Sequence, residues 1–162
     1  MRKAEEIVGL PVINRETGQQ LGVVRDIYFD EKWTIRGVAM ETKTFIRRNR
    51  FIPSEQIGAI GEDCLVVENE DQIKPMDYAT GFHSIFTGKK KLKGIPAILG
   101  TGMELGLVED VYFMEEMGTI IGYELSDGLI SDLTEGRRVI KRPRHVMFGD
   151  DALVVEQEKD SY

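Results

Sequence analysis

Cysteine is almost absent from this chain, and that scarcity removes two kinds of architecture at once. Cys64 is the sole example in 162 residues, so there is neither an internal disulfide framework nor a multi-cysteine zinc site. Histidine is nearly as scarce. His83 and His145 stand alone in the sequence, with no Cys, Asp or His beside them at ligand spacing, which leaves no metal signature. Long apolar runs are missing as well. No stretch approaches the roughly 18 consecutive apolar residues of a membrane-spanning helix, so membrane insertion is not expected. Met1 to Glu6 carries two bases and then two acids, with no long apolar run behind it. It does not read as a secretory signal, and a cytoplasmic location is the expectation. A phosphate-cradling loop needs a Gly-rich run ahead of a helix. Gly100-Thr101-Gly102 leads into a strand pattern instead, and no cofactor site is expected.

An excess of positive charge is also lacking. Lys and Arg number 21 against 28 Asp and Glu, a net charge of −7. Whole-surface attraction to nucleic acid or anionic lipid is thereby disfavoured, because such binding is largely electrostatic. The bases that are present concentrate in three places: Arg47, Arg48 and Arg50; Lys89, Lys90, Lys91 and Lys93; and Arg137 to Arg144. Local patches of this kind act even in an acidic protein. With 41% apolar and 30% charged residues, the composition is that of an ordinary globular domain.

What the chain has in abundance is self-similarity, the feature to seek first because a missed repeat misreads the fold. Leu21 to Glu31 reads LGVVRDIYFDE and Leu105 to Glu115 reads LGLVEDVYFME, with seven of eleven positions identical at an offset of 84. Val8-Gly9-Leu10-Pro11 matches Lys93-Gly94-Ile95-Pro96 in its Gly-x-Pro frame, and Gly37 matches Gly122, both at 85. Gly61 to Glu68 matches Gly149 to Glu156 at 88. Four blocks recur in one order, and the offset drifts where loops are expected. The division this implies is a first copy over 1–70, a linker over 71–92 that is partly ordered against one copy, and a second copy over 93–160. Copies this small bury a modest fraction of their surface, so packing of one against the other is expected too.

Within a copy the pattern is β. Ile7 to Val12 starts a short strand that Pro11 interrupts. Leu21 to Phe29 is rich in β-branched and aromatic residues, with Leu21, Val23, Ile27 and Phe29 on one face. Thr34 to Glu41 follows, and Ser54 is placed to cap a single helical turn. Ile57 to Ile60 and Cys64 to Val67 form a last pair around Gly61-Glu62-Asp63. Five or six short strands per copy, with frequent turns, predict an all-β protein of two small barrels in tandem.

The two blocks LGVVRDIYFDE and LGLVEDVYFME, each followed by a strand opening with Gly37-Val38 or Gly122-Tyr123, resemble the PRC-barrel. That domain is named for the cytoplasmic part of the photosynthetic reaction-centre H subunit. It also forms the C-terminal half of a bacterial 16S rRNA-processing protein. The chain looks most like the tandem PRC-barrel proteins of Gram-positive bacteria. The resemblance implies a β-barrel used as a protein-binding or RNA-associated adaptor, and it brings no catalytic residues with it.

Candidate residues follow from the repeat. Asp26 and Asp110 sit mid-strand between hydrophobic neighbours. Either they hold a cation or a partner's base, or they accept hydrogen bonds from backbone or Arg, because a buried carboxylate needs partners. Tyr28-Phe29 and Tyr112-Phe113 place one ring inward and one outward. Gly22, Gly37, Gly106 and Gly122 mark bends or close backbone approach. Cys64 lies in an apolar strand, where a free thiol behaves as a small hydrophobe. Bases recur beside one strand of each copy: Arg47, Arg48 and Arg50 in the first, and Arg137, Arg138, Lys141, Arg142 and Arg144 in the second. They either blunt exposed edges or face an anionic partner. No nucleophile, base or metal ligand clusters, so an enzyme is not expected. The expected role is a non-enzymatic interaction module for protein partners, with an RNA- or ribosome-associated factor as the alternative and self-association left open.

Overall fold

The computed structural model describes residues 1–46, 48–114, 118–126, 138–141 and 143–156. Over these residues the chain is all β, with single 3-10 turns and no α-helix. It opens with β1 (Arg2–Lys3). The first copy supplies β2 (Pro11–Asn14), β3 (Gln20–Phe29), β4 (Ile35–Thr42), β5 (Asn49–Pro53), β6 (Ile57–Ile60) and β7 (Leu65–Val67). The connecting segment contributes β8 (Lys74–Pro75) and β9 (His83–Ser84). The second copy supplies β10 (Pro96–Leu99), β11 (Glu104–Phe113), β12 (Ile120–Ser126), β13 (Arg138–Lys141), β14 (His145–Phe148) and β15 (Leu153–Glu156).

Each copy forms its own curled sheet, and the strand order is the same in both. The first sheet has eight strands in the order β6-β7-β2-β3-β4-β5-β8, with β9 added to β3. The second has seven, β14-β15-β10-β11-β12-β13, with β1 added to β11. One pairing in each is parallel, β2 with β7 and β10 with β15. These are the two small barrels that the repeat predicted.

Three local expectations are corrected. The first strand begins at Pro11, not Ile7, because the Ile7 N–H closes a 3-10 turn on the Ala4 carbonyl at 3.0 Å. Proline then takes the first strand position, where a missing N–H does least harm. In β3 the buried set is Gly22 and Val24, then Asp26, Ile27 and Phe29, rather than Leu21 and Val23 with the later pair. The pairing register shifts between Val24 and Asp26. The bulge adds Arg25 to one strand and resets the alternation; β11 has the same shift between Val108 and Asp110. The turn Ser54–Gln56 forms, but Ser54 lies inside it and no side chain caps it. Asn69 is the residue that caps, accepting from the Asp71 N–H at 3.0 Å ahead of Glu70–Gln72.

The segment ahead of each copy pairs with the long strand of the other. Arg2 and Lys3 of β1 lie against Phe113 and Tyr112 of the second copy. His83 and Ser84 of β9 lie against Phe29 and Tyr28 of the first. Between the barrels Thr34 bridges Thr119, flanked by Ile35 N–H to Gly118 carbonyl at 3.1 Å and Ile120 N–H to Trp33 carbonyl at 2.8 Å. Residues 33, 34 and 35 are the repeat equivalents of 118, 119 and 120 at the offset of 85. Each contact thus has a mirror partner, the mark of an isologous two-fold contact, here within one chain. A single apolar cluster runs through both barrels, from Val24, Phe29 and Ile35 to Val108, Phe113 and Ile120. Two small copies thereby share the burial that neither can supply in full alone.

Candidate functional site

The repeated carboxylates serve the exchange. Asp26 is 1% exposed. Its Oδ1 accepts from the N–H groups of Ile27 at 2.7 Å, Ile85 at 3.2 Å and Phe86 at 3.0 Å. Its Oδ2 accepts from the Thr87 N–H at 2.9 Å and from the Thr87 hydroxyl. Asp110, fully buried, accepts from the Val111 N–H at 2.8 Å and from the Glu5 N–H at 3.2 and 3.3 Å. Each aspartate therefore ties its long strand to the segment that precedes the other copy. This is the backbone-accepting reading of the pair. Burial, together with nearby Glu5 and Glu124, raises the Asp110 pKa to about 6, against the pull of its two backbone donors. Beside it, Glu124 accepts from Lys3 Nζ at 2.7 Å and from the Tyr112 hydroxyl at 3.1 Å. The Glu124 contact holds the Lys3 ammonium above its usual pKa.

The aromatic pairs divide as expected. Phe29 and Phe113 are wholly buried, whereas Tyr28 and Tyr112 are partly exposed. The Tyr28 ring stands edge-on to Phe51, and Tyr112 lies under the Lys3 ammonium. The glycines mark close approach. A Cβ on Gly22 would sit 2.1 Å from the Glu41 carbonyl oxygen.

The basic residues scatter. Arg47, Arg137 and Arg142 lie outside the described residues. Arg50 is turned inward, donating to the Ile73 carbonyl at 2.8 Å and so fastening β8 beside β5. Arg138 reaches the Leu105 carbonyl at 3.4 Å. Arg48 is exposed on the loop between β4 and β5, lining a cleft with Phe45 and Met76. Lys141 is exposed on β13, and Arg144 is exposed beside Trp33 and Tyr123 in a different cleft. Lys89, Lys90, Lys91 and Lys93 surround a cleft of about 380 Å³ that Asp150 and Asp151 also line.

The feature that sequence reasoning missed lies at the seam. Phe29 and Trp33 of the first copy, His83 of the connecting segment, and His145 to Phe148 of the second copy line one open cleft of about 280 Å³. Trp33 stacks on Phe29 with centroids 5.1 Å apart and stands edge-on to Tyr123 at 5.4 Å. Its indole N–H donates to the Val146 carbonyl at 3.4 Å. His83 meets the Phe148 ring at 4.9 Å. Two histidines that stand alone in the sequence thus line the same cleft, with Met147 59% exposed at its edge.

Trp33 is also the one described non-glycine residue with positive φ, at 63°. That left-handed conformation costs a bulky residue roughly 1–3 kcal/mol. The turn that imposes it is built by Asp30, whose Oδ1 accepts from the N–H groups of Lys32 at 2.9 Å and Thr34 at 3.1 Å. The second copy has Gly118 at the equivalent position. A glycine in one copy standing opposite a tryptophan in the other was the available signal that the two turns differ.

A family model described as the PRC-barrel domain matches residues 1–73. The chain is also 32% identical over 145 residues to the uncharacterized protein YrrD of Bacillus subtilis (strain 168), an alignment covering 88% of this chain and 79% of that relative.

Proposed function

We propose that this chain, which belongs to the PRC-barrel family, works as a non-enzymatic interaction module whose protein partner seats a large apolar side chain in the cleft at the seam. The observation that carries this reading is Trp33. A tryptophan held in a left-handed turn, half-buried and flanked by rings from both copies, resembles the aromatic anchors that dominate protein interfaces. The cleft is roofless and joins an apolar floor to a polar rim, with Met147 adaptable at its edge. It draws on three separate segments, so a partner bound there reads the assembled pair of barrels rather than either one.

Recovery of a partner on the immobilised protein, with and without nuclease, is the test. Met147→Asp places a charge on an exposed cleft residue without touching the core. The partner should be retained after nuclease and at high salt, and lost with Met147→Asp. Recovery that survives Met147→Asp would overturn the seam reading.

A second reading, association with RNA or the ribosome, draws support from the four exposed lysines around the cleft of about 380 Å³. It requires that recovery vanish with nuclease and fall steeply with salt. Exposed Arg48 and Arg144 would add to that attraction.

A further inference from the structure

The loop between β4 and β5 has an apolar tip on a stiff polar base. Thr42 and Arg48 close it: the Thr42 N–H donates to the Arg48 carbonyl at 2.9 Å and the Arg48 N–H to the Thr42 hydroxyl at 3.3 Å. Inside, the Thr44 hydroxyl donates to the Ile46 carbonyl at 2.8 Å and lies 3.2 Å from the Thr42 hydroxyl. With these polar atoms satisfied within the loop, Phe45 and Ile46 project into water, 104% and 65% exposed. Phe45 is the most exposed large apolar side chain among the described residues. Exposed Lys43 and Arg48 flank the tip. The nearby acid Glu41 is held by Arg25 at 2.5 Å, and no acid among the described residues lines the cleft that the tip shares with Met76.

The geometry points to a docking tip for an anionic lipid surface. Phe45 and Ile46 stand at the rim of that cleft, and with most of their surface in water they are placed to enter a partner. Cations beside them match a layer of negative headgroups above hydrocarbon, the arrangement in which Lys and Arg stay at the phosphates while apolar side chains sink past them. RNA would use the bases and could stack on Phe45, but it offers nothing to Ile46. The contact lies on the bilayer and does not span it. With a net charge of −7 the rest of the surface is repelled, so tip and cations must act together, because one weak membrane signal gives only reversible binding.

Co-flotation of the full chain with vesicles tests this. Binding is expected to mixed phosphatidylglycerol–phosphatidylcholine vesicles and not to phosphatidylcholine alone, and it should weaken with salt. Removing either cation, by Lys43→Ala or Arg48→Ala, should lower partitioning about fivefold. Phe45→Ser with Ile46→Ser should lower it at least tenfold. All four side chains are exposed, so circular dichroism should be unchanged. In a Phe45→Trp variant the added indole emission should shift to the blue on phosphatidylglycerol vesicles alone. Equal binding to both vesicle types, absence of binding, or binding indifferent to the Phe45 and Ile46 changes overturns the proposal. So does binding of a single-stranded oligonucleotide, in place of vesicles, that is lost with Phe45→Ser.

Discussion

Thr34 and Thr119 pair with each other across the seam between the barrels, and each is the other's counterpart in the repeat. The residues on either side donate and accept reciprocally, so the two barrels meet as a two-fold dimer would, inside one chain. Around that contact the leading segments cross over, and the two buried aspartates hold them in place.

Because each copy is completed by a segment belonging to the other, separated halves should fold poorly. Residues 1–75 lack the Ile85–Thr87 donors to Asp26, and residues 76–162 lack the Glu5 donor to Asp110. Each fragment alone should show a collapsed, poorly dispersed NMR spectrum, and mixing them should restore dispersion. Two well-dispersed fragments that ignore each other would contradict the exchange.

The two aspartates should differ in weight. Asp26→Ala strands backbone N–H groups at residues 27, 86 and 87, while the Ile85 N–H keeps the Ile27 carbonyl, and should cost roughly 3 kcal/mol, given about 1 kcal/mol per donor left unmet. Asp110→Ala strands two, at Val111 and Glu5, and should cost about two thirds as much. Urea denaturation reads both; equal losses would mean that the donors find water.

Asp110 should leave a signature in the pH dependence of stability. Its pKa of about 6 in the folded protein exceeds the ordinary value of 3.8. Between those values the folded state holds a proton that the unfolded chain has released. Stability from this group is therefore full below about pH 4 and declines as pH rises, gone above about pH 6. Asp110→Asn removes the titration and keeps an acceptor for Val111 and Glu5. The urea midpoint of the variant should gain on the natural protein as pH climbs from 4 to 6, while all other groups cancel in the difference. Parallel curves would place the Asp110 pKa at its ordinary value.

Glycine substitutions should separate sharply. Gly22→Ala drives a Cβ to 2.1 Å from the Glu41 carbonyl oxygen, which forces β3 from β4 and should cost about 3 kcal/mol or more. Gly100→Ala meets nothing within 4 Å and has no positive φ, so it should be neutral or slightly stabilising, by up to about 1 kcal/mol. Thermal melting of the two variants distinguishes them directly.

The barrels were legible because their signals are local. LGVVRDIYFDE and LGLVEDVYFME announce the same strand twice, and the glycines stand where backbones nearly touch. Asp26 and Asp110 were legible as groups in need of partners, since a mid-strand carboxylate has nowhere else to go. Which strand face is buried was not, because a bulge at Arg25 costs no recognisable residue and yet reverses the alternation. The seam cleft was hidden for a different reason: Trp33, His83 and Phe148 come from segments whose meeting depends on the crossover.

The sequence by itself determined that one small β domain occurs twice, that each long strand carries a mid-strand aspartate in need of partners, and that no cysteine framework supports it. These follow from composition and from spacings within a few residues, where propensity and side-chain chemistry act. Only the tertiary structure decided that the copies exchange their leading segments, that Trp33 takes a left-handed turn, and that Phe45 and Ile46 are left in water. The exchange depends on contacts between residues far apart in the chain, such as Tyr28 with Ser84 and Arg2 with Phe113, and on how two curled sheets share one core. Burial over such separations is won by the assembled pair, and neither copy carries its instructions alone.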